Sequence, residues 1–424
     1  MTAHRPDAFT TAPAPAHSIA GFRMAASGGN APVPEDPDVS APTAAGPLDD
    51  WLRDRRQRRD EAGLRRRLRA LPGACVDLAS NDYLGLSRDP RVVTAAREAL
   101  DAHGTGSRAS RLVTGTLGIH ERLEWELCAL TGQPAALVFS SGYAANTGVL
   151  TALGDADTLI VSDAHAHASL VDGARLSRSP VRIARHSDVA HVARLLAERS
   201  EARAIVVVES VYSVWGDHAP LQELAEICRA SNALLLVDEA HGIGVAGRGR
   251  GLVHEHGLAG SPHVAVALTL SKALGAQGGA VLGSPALREH LVNTARPFIF
   301  DTALAPASAA AATEAARIIG ETPELVDRLH ERARIVASTL GILQARAAVQ
   351  SVQVATPEVA LRAAEELRGR GVAVGCFRPP SVPDGISRLR ITAPGNMELQ
   401  ELSRALHHVR EVLAGVTGDE SATP

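Results

Sequence analysis

Short apolar runs alternate with helical patterns between residues 81 and 282. The runs are residues 136–140, 159–162, 204–209, 234–237 and 264–270. A continuous apolar run of this length is typical of a strand buried on both faces, and its alternation with helices is typical of βαβ units. The pattern predicts an α/β fold with a large, mainly parallel sheet.

The pattern changes on either side of this region. After residue 306, long Ala-rich helices precede short strands near residues 351–355, 372–377 and 388–392 and a last helix at residues 396–413, which predicts a smaller α+β domain. An exposed, arginine-rich helix is predicted from Pro47 to about residue 69. The predicted organisation is a disordered extension (1–46), an N-terminal segment (47–90), a large domain (91–300), a C-terminal small domain (301–415) and a flexible tail (416–424).

Composition narrows the class of protein. The 424 residues include 43 Lys plus Arg and 47 Asp plus Glu, a net charge of -4, and no basic stripe is interleaved with aromatic residues. Small molecules are therefore expected as partners, rather than nucleic acid. The four cysteines form no CxxC pair, and no apolar run is long enough to span a membrane. A cytoplasmic protein with no membrane association is expected.

Two motifs resemble nucleotide sites but lack their context. The string LLVDEAH at residues 235–241 has the acidic pair of a helicase box, yet the chain contains no GxxxxGK[ST] phosphate loop. Gly242, Gly244 and Gly247 spell GxGxxG, but the residues that follow indicate a loop and not the start of a helix. We interpret the glycines as a turn.

Polar residues at the ends of two neighbouring runs suggest catalytic chemistry. Lys272 follows the run 264–270, Asp238 ends the run before it, and His241 lies three residues further on. The carboxyl ends of parallel strands open a binding crevice, so these side chains are expected to meet there. These side chains meet the requirements of pyridoxal phosphate (PLP): an amine for a Schiff base, an acid for the pyridine nitrogen and an imidazole near the ring oxygen. A surface lysine in a loop is the alternative.

Two further segments fit the same cofactor. The run 136–140 leads through a turn at Gly142 and Tyr143 into a helix, whose N-terminal amides favour phosphate; a plain capped turn is the alternative. His165 and His167 follow another strand. Because no third ligand is nearby, no metal site is predicted, and one imidazole stacked on a flat cofactor is preferred.

The strings LASNDYLGL (residues 78–86), RPFIFDT (296–302) and RPPSVP (378–383) add a family resemblance. With the motifs above, they resemble the α-oxoamine synthases, PLP-dependent enzymes of transferase fold type I, the aspartate-aminotransferase-like fold. The likeness extends over residues 47–413.

The resemblance implies roles for individual residues. Lys272 would form the Schiff base, Asp238 would pair with the pyridinium, and His167 would stack on the ring. Ser213 and His241 would lie near the ring oxygen. The phosphate would be bound by Thr269, the Gly142–Tyr143 turn and Thr302 of the second subunit of a homodimer with shared active sites. The implied substrate contacts are Arg378, which grips a carboxylate, together with Arg65, Asn81, Ser381 and His167.

The implied reaction is a decarboxylative condensation in biotin biosynthesis, between L-alanine and a pimeloyl thioester of coenzyme A or of a carrier protein. Other family members that join glycine to acetyl-CoA or succinyl-CoA are alternatives, as is a PLP aminotransferase or lyase. Lys272 argues against a non-catalytic subunit.

Two positions depart from the family pattern. Trp215 replaces a small or acidic residue, which is expected to reshape the loop beside Ser213. Ala109 replaces a glycine and would be strained if the position required positive φ.

Overall fold

The computed structural model describes residues 46–418, apart from residues 67, 380 and 383. The predicted disordered extension, up to residue 45, and residues 419–424 of the predicted tail lie outside the described residues. Contacts divide the chain into two units, Met1–Arg58 and Arg59–Pro424. The described part of the first unit belongs to helix α1, Pro47–Glu61, in which Asp54 pairs with Arg58. The helix predicted to reach residue 69 ends at Glu61, because the chain turns at Gly63 with φ of 64°.

A seven-stranded sheet has the order β2-β8-β7-β6-β5-β3-β4. Strands β7, β6, β5, β3 and β4 are parallel, and β8 is antiparallel to both of its neighbours. The mainly parallel sheet is thus confirmed. Its strands are β2 (Ala135–Phe139), β3 (Thr158–Asp163), β4 (Val181–Ala184), β5 (Arg203–Glu209), β6 (Leu234–Asp238), β7 (Val264–Thr269) and β8 (Gly279–Gly283).

A four-stranded sheet has the order β1-β10-β11-β9 and contains β1 (Val76–Leu78), β9 (Val349–Gln353), β10 (Val372–Phe377) and β11 (Arg388–Thr392). Strand β1 pairs parallel to β10, so residues near the start of the second unit complete a sheet formed by its C-terminal part. The run that forms β1 is only three residues long and carries Asp77, which explains why the apolar pattern does not predict it.

The helices cover the sheets. They are α2 (Pro90–His103), α3 (Gly118–Thr131), α4 (Gly142–Leu153), α5 (Ala168–Leu176), α6 (Val189–Ala197), α7 (Leu221–Ala230), α8 (Leu252–Glu255), α9 (Pro285–Thr294), α10 (Arg296–Ile299), α11 (Pro306–Glu321), α12 (Glu324–Leu340), α13 (Pro357–Gly369) and α14 (Leu399–Gly418). Among the described residues, no helix is long and apolar enough to cross a membrane.

Alternate residues of the large sheet point into two separate apolar layers. Val206, Val208 and Leu235 belong to one layer, and Ile205 and Leu236 to the other. Burial on both faces explains why these strands are continuous apolar runs. A third core lies under the four-stranded sheet. Alanines of α11 pack in the first of these apolar layers. The predicted domain boundaries stay predictions.

Candidate functional site

A cavity of about 260 Å³ lies at the carboxyl ends of β5, β6 and β7. This edge is where parallel sheets bind ligands. The structure brings seven of the predicted site residues together in its lining: Gly142, Tyr143, His167, Asp238, His241, Thr269 and Lys272. The lining also contains Ser141, Asn146, Ser169, Glu209, Ala240, Leu268 and Ser271.

Lys272 begins a chain of polar contacts. Its Nζ lies 2.7 Å from Nε2 of His241, and Nδ1 of the same ring lies 2.7 Å from the hydroxyl of Tyr83. The Tyr83 hydroxyl donates to Oδ1 of Asn81 at 3.0 Å. His241 and Tyr83 are both buried. Both ring nitrogens of His241 are therefore engaged, which fixes the position of the lysine amine.

Burial lowers the pKa of Lys272 to about 8, although the carboxylates of Asp238 and Glu209 oppose the shift. Burial lowers the pKa of His241 well below its usual value, and the charge of Lys272 lowers it further. An amine with a lowered pKa is neutral more often near physiological pH and can therefore act as a nucleophile and a base. Lys272 is also the single lysine in the whole sequence, so it provides the only ε-amine.

Asp238 is 4% exposed at the end of β6. Its carboxylate accepts hydrogen bonds from Nδ2 of Asn146 at 2.7 Å and from the backbone N–H of Ala240 at 2.8 Å. Among the described residues, no cationic side chain lies within ion-pairing distance of it. A buried carboxylate held this way suits a protonated ring nitrogen.

Glu209 lies opposite Asp238, at the end of β5. Burial and the nearby charge of Asp238 raise the pKa of Glu209 well above its usual value. Its Oε1 atom has no hydrogen-bond partner among the described residues. Glu209 is therefore a candidate for a neutral carboxyl group that can donate a hydrogen bond in the cavity.

His167 caps the first turn of α5. Its Nδ1 accepts from the backbone N–H of Ser169 at 3.2 Å and lies 2.8 Å from the Ser169 hydroxyl. Burial lowers the pKa of His167. Because a neutral ring whose Nδ1 accepts must carry its proton on the other nitrogen, Nε2 is the donor available to a ligand.

Helix α4 begins at this cavity. Ser141 caps it by accepting from the backbone N–H of Ala144. A Cβ atom on Gly142 would lie 2.9 Å from Cβ of Thr269, so glycine lets the helix start approach the end of β7. The Thr269 hydroxyl is 2.7 Å from that of Ser271. Helix amides and hydroxyl groups together suit a phosphate.

The residues present fit PLP. The cavity combines a lysine amine, a buried carboxylate without a cation, an imidazole at one wall and a helix N-terminus beside hydroxyl groups. The buried Oδ1 of Asn146, which has no partner among the described residues, is an additional acceptor for a ligand donor. These residues are therefore the candidates for holding the cofactor.

The remaining predicted residues lie outside the cavity lining. Ser213 is engaged through its carbonyl, which accepts from Arg390 at 3.2 Å. Thr302 is exposed on the surface. Arg65, Arg378 and Ser381 line a second cavity, of about 860 Å³.

Sequence reasoning missed four residues that shape the site: Tyr83, Asn146, Glu209 and Arg390. Arg390 is 6% exposed, donates to Oδ1 of Asn81 at 2.9 Å and stacks on Phe377. Arg388 and Arg390 stand at alternate positions of the predicted strand 388–392. This pattern could have indicated a functional role, because a buried strand seldom carries a charged side chain without a partner. Tyr83 stands in the LASNDYLGL string, but its contact with His241 joins residues distant in sequence.

Trp215 packs beside a second polar cluster. His186 bridges two carboxylates, with Nδ1 at 2.8 Å from Asp163 and Nε2 at 2.8 Å from Asp217. His165 stacks on His186 with ring centres 3.9 Å apart, and Trp215 meets both rings edge-on.

The ligand atoms of Asp163, His165 and His186 lie within 4.8 Å of one another. Both ring nitrogens of His186 already face carboxylates, however, so this ring does not offer a free lone pair to a metal ion. The two carboxylates raise the pKa of His186 to about 9, although burial opposes them. A protonated imidazole thus supplies the positive charge of this cluster.

The left-handed backbone conformation falls one residue before Ala109, the second position that departs from the family pattern. Ala109 is not among the residues with positive φ, whereas Arg108 has φ of 69°. The condition for strain at Ala109 is therefore not met, and the left-handed conformation belongs to Arg108.

Comparisons with known proteins identify the family and the fold. The family model "Aminotransferase class I and II" matches residues 74–409. A protein named 8-amino-7-oxononanoate synthase from Mycolicibacterium gilvum is 53% identical over 370 residues, which cover 86% of this chain and 96% of the relative. A structure of serine palmitoyltransferase from S. paucimobilis with a PLP–myriocin aldimine is 29% identical, with a TM-score of 0.80, and the match covers 87% of this chain and 98% of that one. A crystal structure of 8-amino-7-oxononanoate synthase from Francisella tularensis is 25% identical, with a TM-score of 0.70, over 81% of this chain and 99% of that one.

Proposed function

The chain belongs to the aminotransferase class I and II family, and we propose that it condenses L-alanine with a pimeloyl thioester in biotin biosynthesis. The products are 8-amino-7-oxononanoate, carbon dioxide and a free thiol. The observation that carries the proposal is the single lysine, held 2.7 Å from His241 in a cavity that also contains Asp238. The acyl group is supported by the name and the high identity of the relatives. A cytoplasmic location stays a prediction.

PLP, when bound, supplies an electron-poor ring that takes up the electron pair left on the α-carbon of an amino acid. Asp238 keeps a proton on the ring nitrogen. Lys272 Nζ, positioned by His241, accepts the α-proton. His167 offers its Nε2 proton to the oxygen of the thioester carbonyl as negative charge develops there.

The bonds and protons balance over the cycle. The α-carbon of alanine forms a bond to the thioester carbonyl carbon, and the thiolate leaves as that carbonyl re-forms and takes up one proton from solvent. The carboxylate, now β to a ketone, leaves as carbon dioxide, and Lys272 returns a proton to the same carbon. The loss of carbon dioxide makes the sequence effectively irreversible.

Substrate positioning rests on residues outside the lining of the lysine cavity. Arg378 would grip a carboxylate through paired hydrogen bonds, and Arg65, Asn81 and Ser381 would contact the substrates. In the structure, the Arg378 guanidinium donates to the carbonyl of Gly63 at 2.6 Å. This contact uses Nη1, so the Nε and Nη2 donors of the guanidinium would be the pair that a substrate carboxylate meets.

A homodimer with shared sites is part of the proposal. Thr302 and Phe300 are exposed, with 69% of Phe300 accessible. The exposed side chains of Leu112 and Val113 belong to a turn that lies against α10, close in sequence to Phe300. Apolar side chains exposed in this way mark an association surface. Light scattering is expected to give twice the mass of the chain, and a fully active monomer would contradict the shared site.

The decisive assay compares thiol release by the PLP-loaded protein for several substrate pairs. Alanine with a pimeloyl thioester is expected to turn over fastest, and the gene is expected to rescue a biotin auxotroph. Glycine with acetyl-CoA or succinyl-CoA tests the other condensing enzymes, and keto-acid formation without thiol release tests an aminotransferase. Efficient turnover of a glycine pair, without rescue, would overturn the proposed substrates while leaving the cofactor assignment intact.

A further inference from the structure

A polar cluster outside the lysine cavity joins the ends of three neighbouring strands. Strands β5, β3 and β4 are adjacent and parallel in the large sheet. Asp163 ends β3, His186 follows β4, and Asp217 lies in the segment after β5. Because the carboxyl ends of parallel strands lie at one edge of the sheet, these three side chains meet there. We call Asp163, His186 and Asp217 the histidine bridge.

The histidine bridge needs a charged imidazole. Both ring nitrogens of His186 lie 2.8 Å from a carboxylate oxygen, Nδ1 from Asp163 and Nε2 from Asp217. A neutral imidazole has one N–H and can donate to only one of these carboxylates, whereas an imidazolium donates to both. Hydrogen bonds between charged groups are also stronger than those between neutral groups. The bridge is therefore complete only while His186 is protonated.

The surroundings of His186 favour that state. Burial opposes the charge, but the carboxylates of Asp163 and Asp217 raise the pKa of His186 to about 9. Burial lowers the pKa of His165, and the charge of His186 lowers it further, so the ring stacked on His186 stays neutral. The ionisable groups around the ring come from several elements: Asp163 and His165 from β3 and its end, Tyr212 and Asp217 after β5, the paired Arg388 and Asp384 beyond Trp215, and the paired Arg185 and Asp188 beside His186 itself.

The first segment held by the bridge leads to His167. The carboxylate of Asp163 accepts from the backbone N–H of His165 at 2.8 Å and from that of Ser187 at 2.8 Å. His167 lies two residues after His165 and lines the lysine cavity. Asp163 therefore fixes both the turn that leads to His167 and the turn that carries His186.

The second segment held by the bridge carries Ser213. This segment closes on itself, because Val211 pairs with His218 and the backbone N–H of Tyr212 donates to the carbonyl of Asp217 at 2.9 Å. Ser213 lies inside the closed segment, and Asp217 lies at its neck. Fixing Asp217 therefore fixes the path of the backbone through Ser213.

The two segments meet again at the lysine cavity. The carboxyl group of Glu209, which lines this cavity, faces the backbone N–H groups of both Ser213 and His167. The histidine bridge thus holds the outer ends of the two segments, while Glu209 contacts their inner ends. His186 is not in the cavity lining and can act on a ligand there only through these segments.

We propose that His186 is a positioning residue for the cofactor: by joining Asp163 to Asp217, it holds the segments of His167 and Ser213 in place and thereby strengthens the binding of PLP. The proposal rests on the cofactor contacts proposed for His167 and Ser213. Residues that support ligand-contacting side chains in this way set the precision of a site. Binding of PLP is therefore tighter while His186 carries its second proton than after that proton is lost.

The test is equilibrium dialysis of the PLP-loaded protein between pH 6 and pH 10. The variants are His186→Gln and Asp217→Asn, and His407→Gln is the matched control, because His407 pairs with Glu411 at 3.2 Å on the exposed side of α14. The quantity compared is the ratio of the Kd for PLP of each variant to that of the wild type. Groups that titrate in both proteins, among them Lys272, largely cancel in this ratio.

His186→Gln is expected to raise the Kd at least about tenfold at pH 7, and the ratio is expected to approach one above about pH 9, where the wild type also loses the bridge. Asp217→Asn leaves one carboxylate, so His186 loses its proton at a lower pH than in the wild type. Its ratio is therefore expected to be largest just below pH 9 and smaller at pH 6. The control is expected to keep a ratio of one throughout.

A purely structural bridge would lower Tm and leave the Kd of the folded protein unchanged, and this result would overturn the proposal. A raised Kd whose ratio does not change with pH would overturn it as well, because lost packing and not the charge would then be responsible. Should His186→Gln not fold, Asp217→Asn decides by the same criteria, since it keeps an acceptor oxygen for Nε2. Failure of the proposed function looks different: alanine and a pimeloyl thioester then release no thiol, while the dialysis still reports on the histidine bridge.

Discussion

The lowered pKa of Lys272 predicts a specific pH dependence of stability in the cofactor-free protein. The ε-amine changes from its ordinary pKa of 10.5 to about 8, because burial outweighs the carboxylates of Asp238 and Glu209. Because a tenfold change in an equilibrium constant corresponds to about 1.4 kcal/mol, this fall in the pKa means that charging the buried amine costs about 3–4 kcal/mol. Lys272→Met removes this cost while keeping a long, unbranched side chain.

The sign follows from proton binding. Between pH 8 and pH 10.5 the unfolded chain keeps its lysine proton while the folded protein has lost it, so the stability of the wild type rises with pH in this window. Below pH 8 both states bind the proton, and the folded state carries the whole penalty. Relative to Lys272→Met, the wild type is therefore expected to gain about 3 kcal/mol of unfolding free energy between pH 7.5 and pH 10.5.

The assay is urea unfolding of both cofactor-free proteins across this pH range. All other titrating groups are shared, so the difference between the two curves reports on the lysine. The rate of labelling by an amine-specific reagent, followed on the peptide that contains Lys272 so that the N-terminal amine does not contribute, gives an independent value. A difference in unfolding free energy that does not change with pH, or labelling with a midpoint near 10.5, would refute the reasoning.

Three further variants test neighbouring claims. Asp238→Asn is expected to lower kcat at least about a hundredfold in the thiol-release assay, because the ring nitrogen loses its charge partner; an unchanged kcat would contradict the role. His186→Gln should lower the free energy of unfolding, measured in urea at pH 6, by about 1–3 kcal/mol, because the raised pKa of His186 stabilises the fold below pH 6.5. This loss of stability should disappear as the pH rises through 9 and the wild-type imidazole loses its proton. A constant loss would refute the bridge. Arg108→Gly is expected to raise Tm by the equivalent of up to about 1 kcal/mol, because glycine adopts a positive φ without strain. Ala109→Gly is expected to give no such gain, and a higher Tm for Ala109→Gly than for Arg108→Gly would contradict the assigned φ.

The large sheet could be predicted because its strands are buried on both faces. Strands buried on both faces consist almost entirely of apolar residues, so runs such as residues 204–209 can be recognised in the sequence. The observed strand, Arg203–Glu209, begins one residue before the predicted run. Strand Val181–Ala184 was missed because it lies at the sheet edge and alternates exposed and buried residues over only four positions. Strand Gly279–Gly283 was missed because glycines at both ends and the preceding Gly-rich segment resemble a turn.

The lysine cavity could be anticipated because it follows from topology. Lys272, Asp238 and His241 come after neighbouring parallel strands, and such strand ends must meet. The contacts of Tyr83 and Arg390 could not be predicted in the same way. They join strands and loops far apart in sequence, and no local spacing encodes those pairings.

Borohydride trapping tests the central claim most directly. The protein loaded with PLP is reduced, digested and mapped by mass spectrometry, with Lys272→Ala as the control. We expect one pyridoxyl group, on the peptide that contains Lys272, and neither trapped cofactor nor imine absorption in the variant. Cofactor trapped on the N-terminal amine, or an imine that survives in Lys272→Ala, would contradict the assignment of the single lysine as the residue that holds the cofactor.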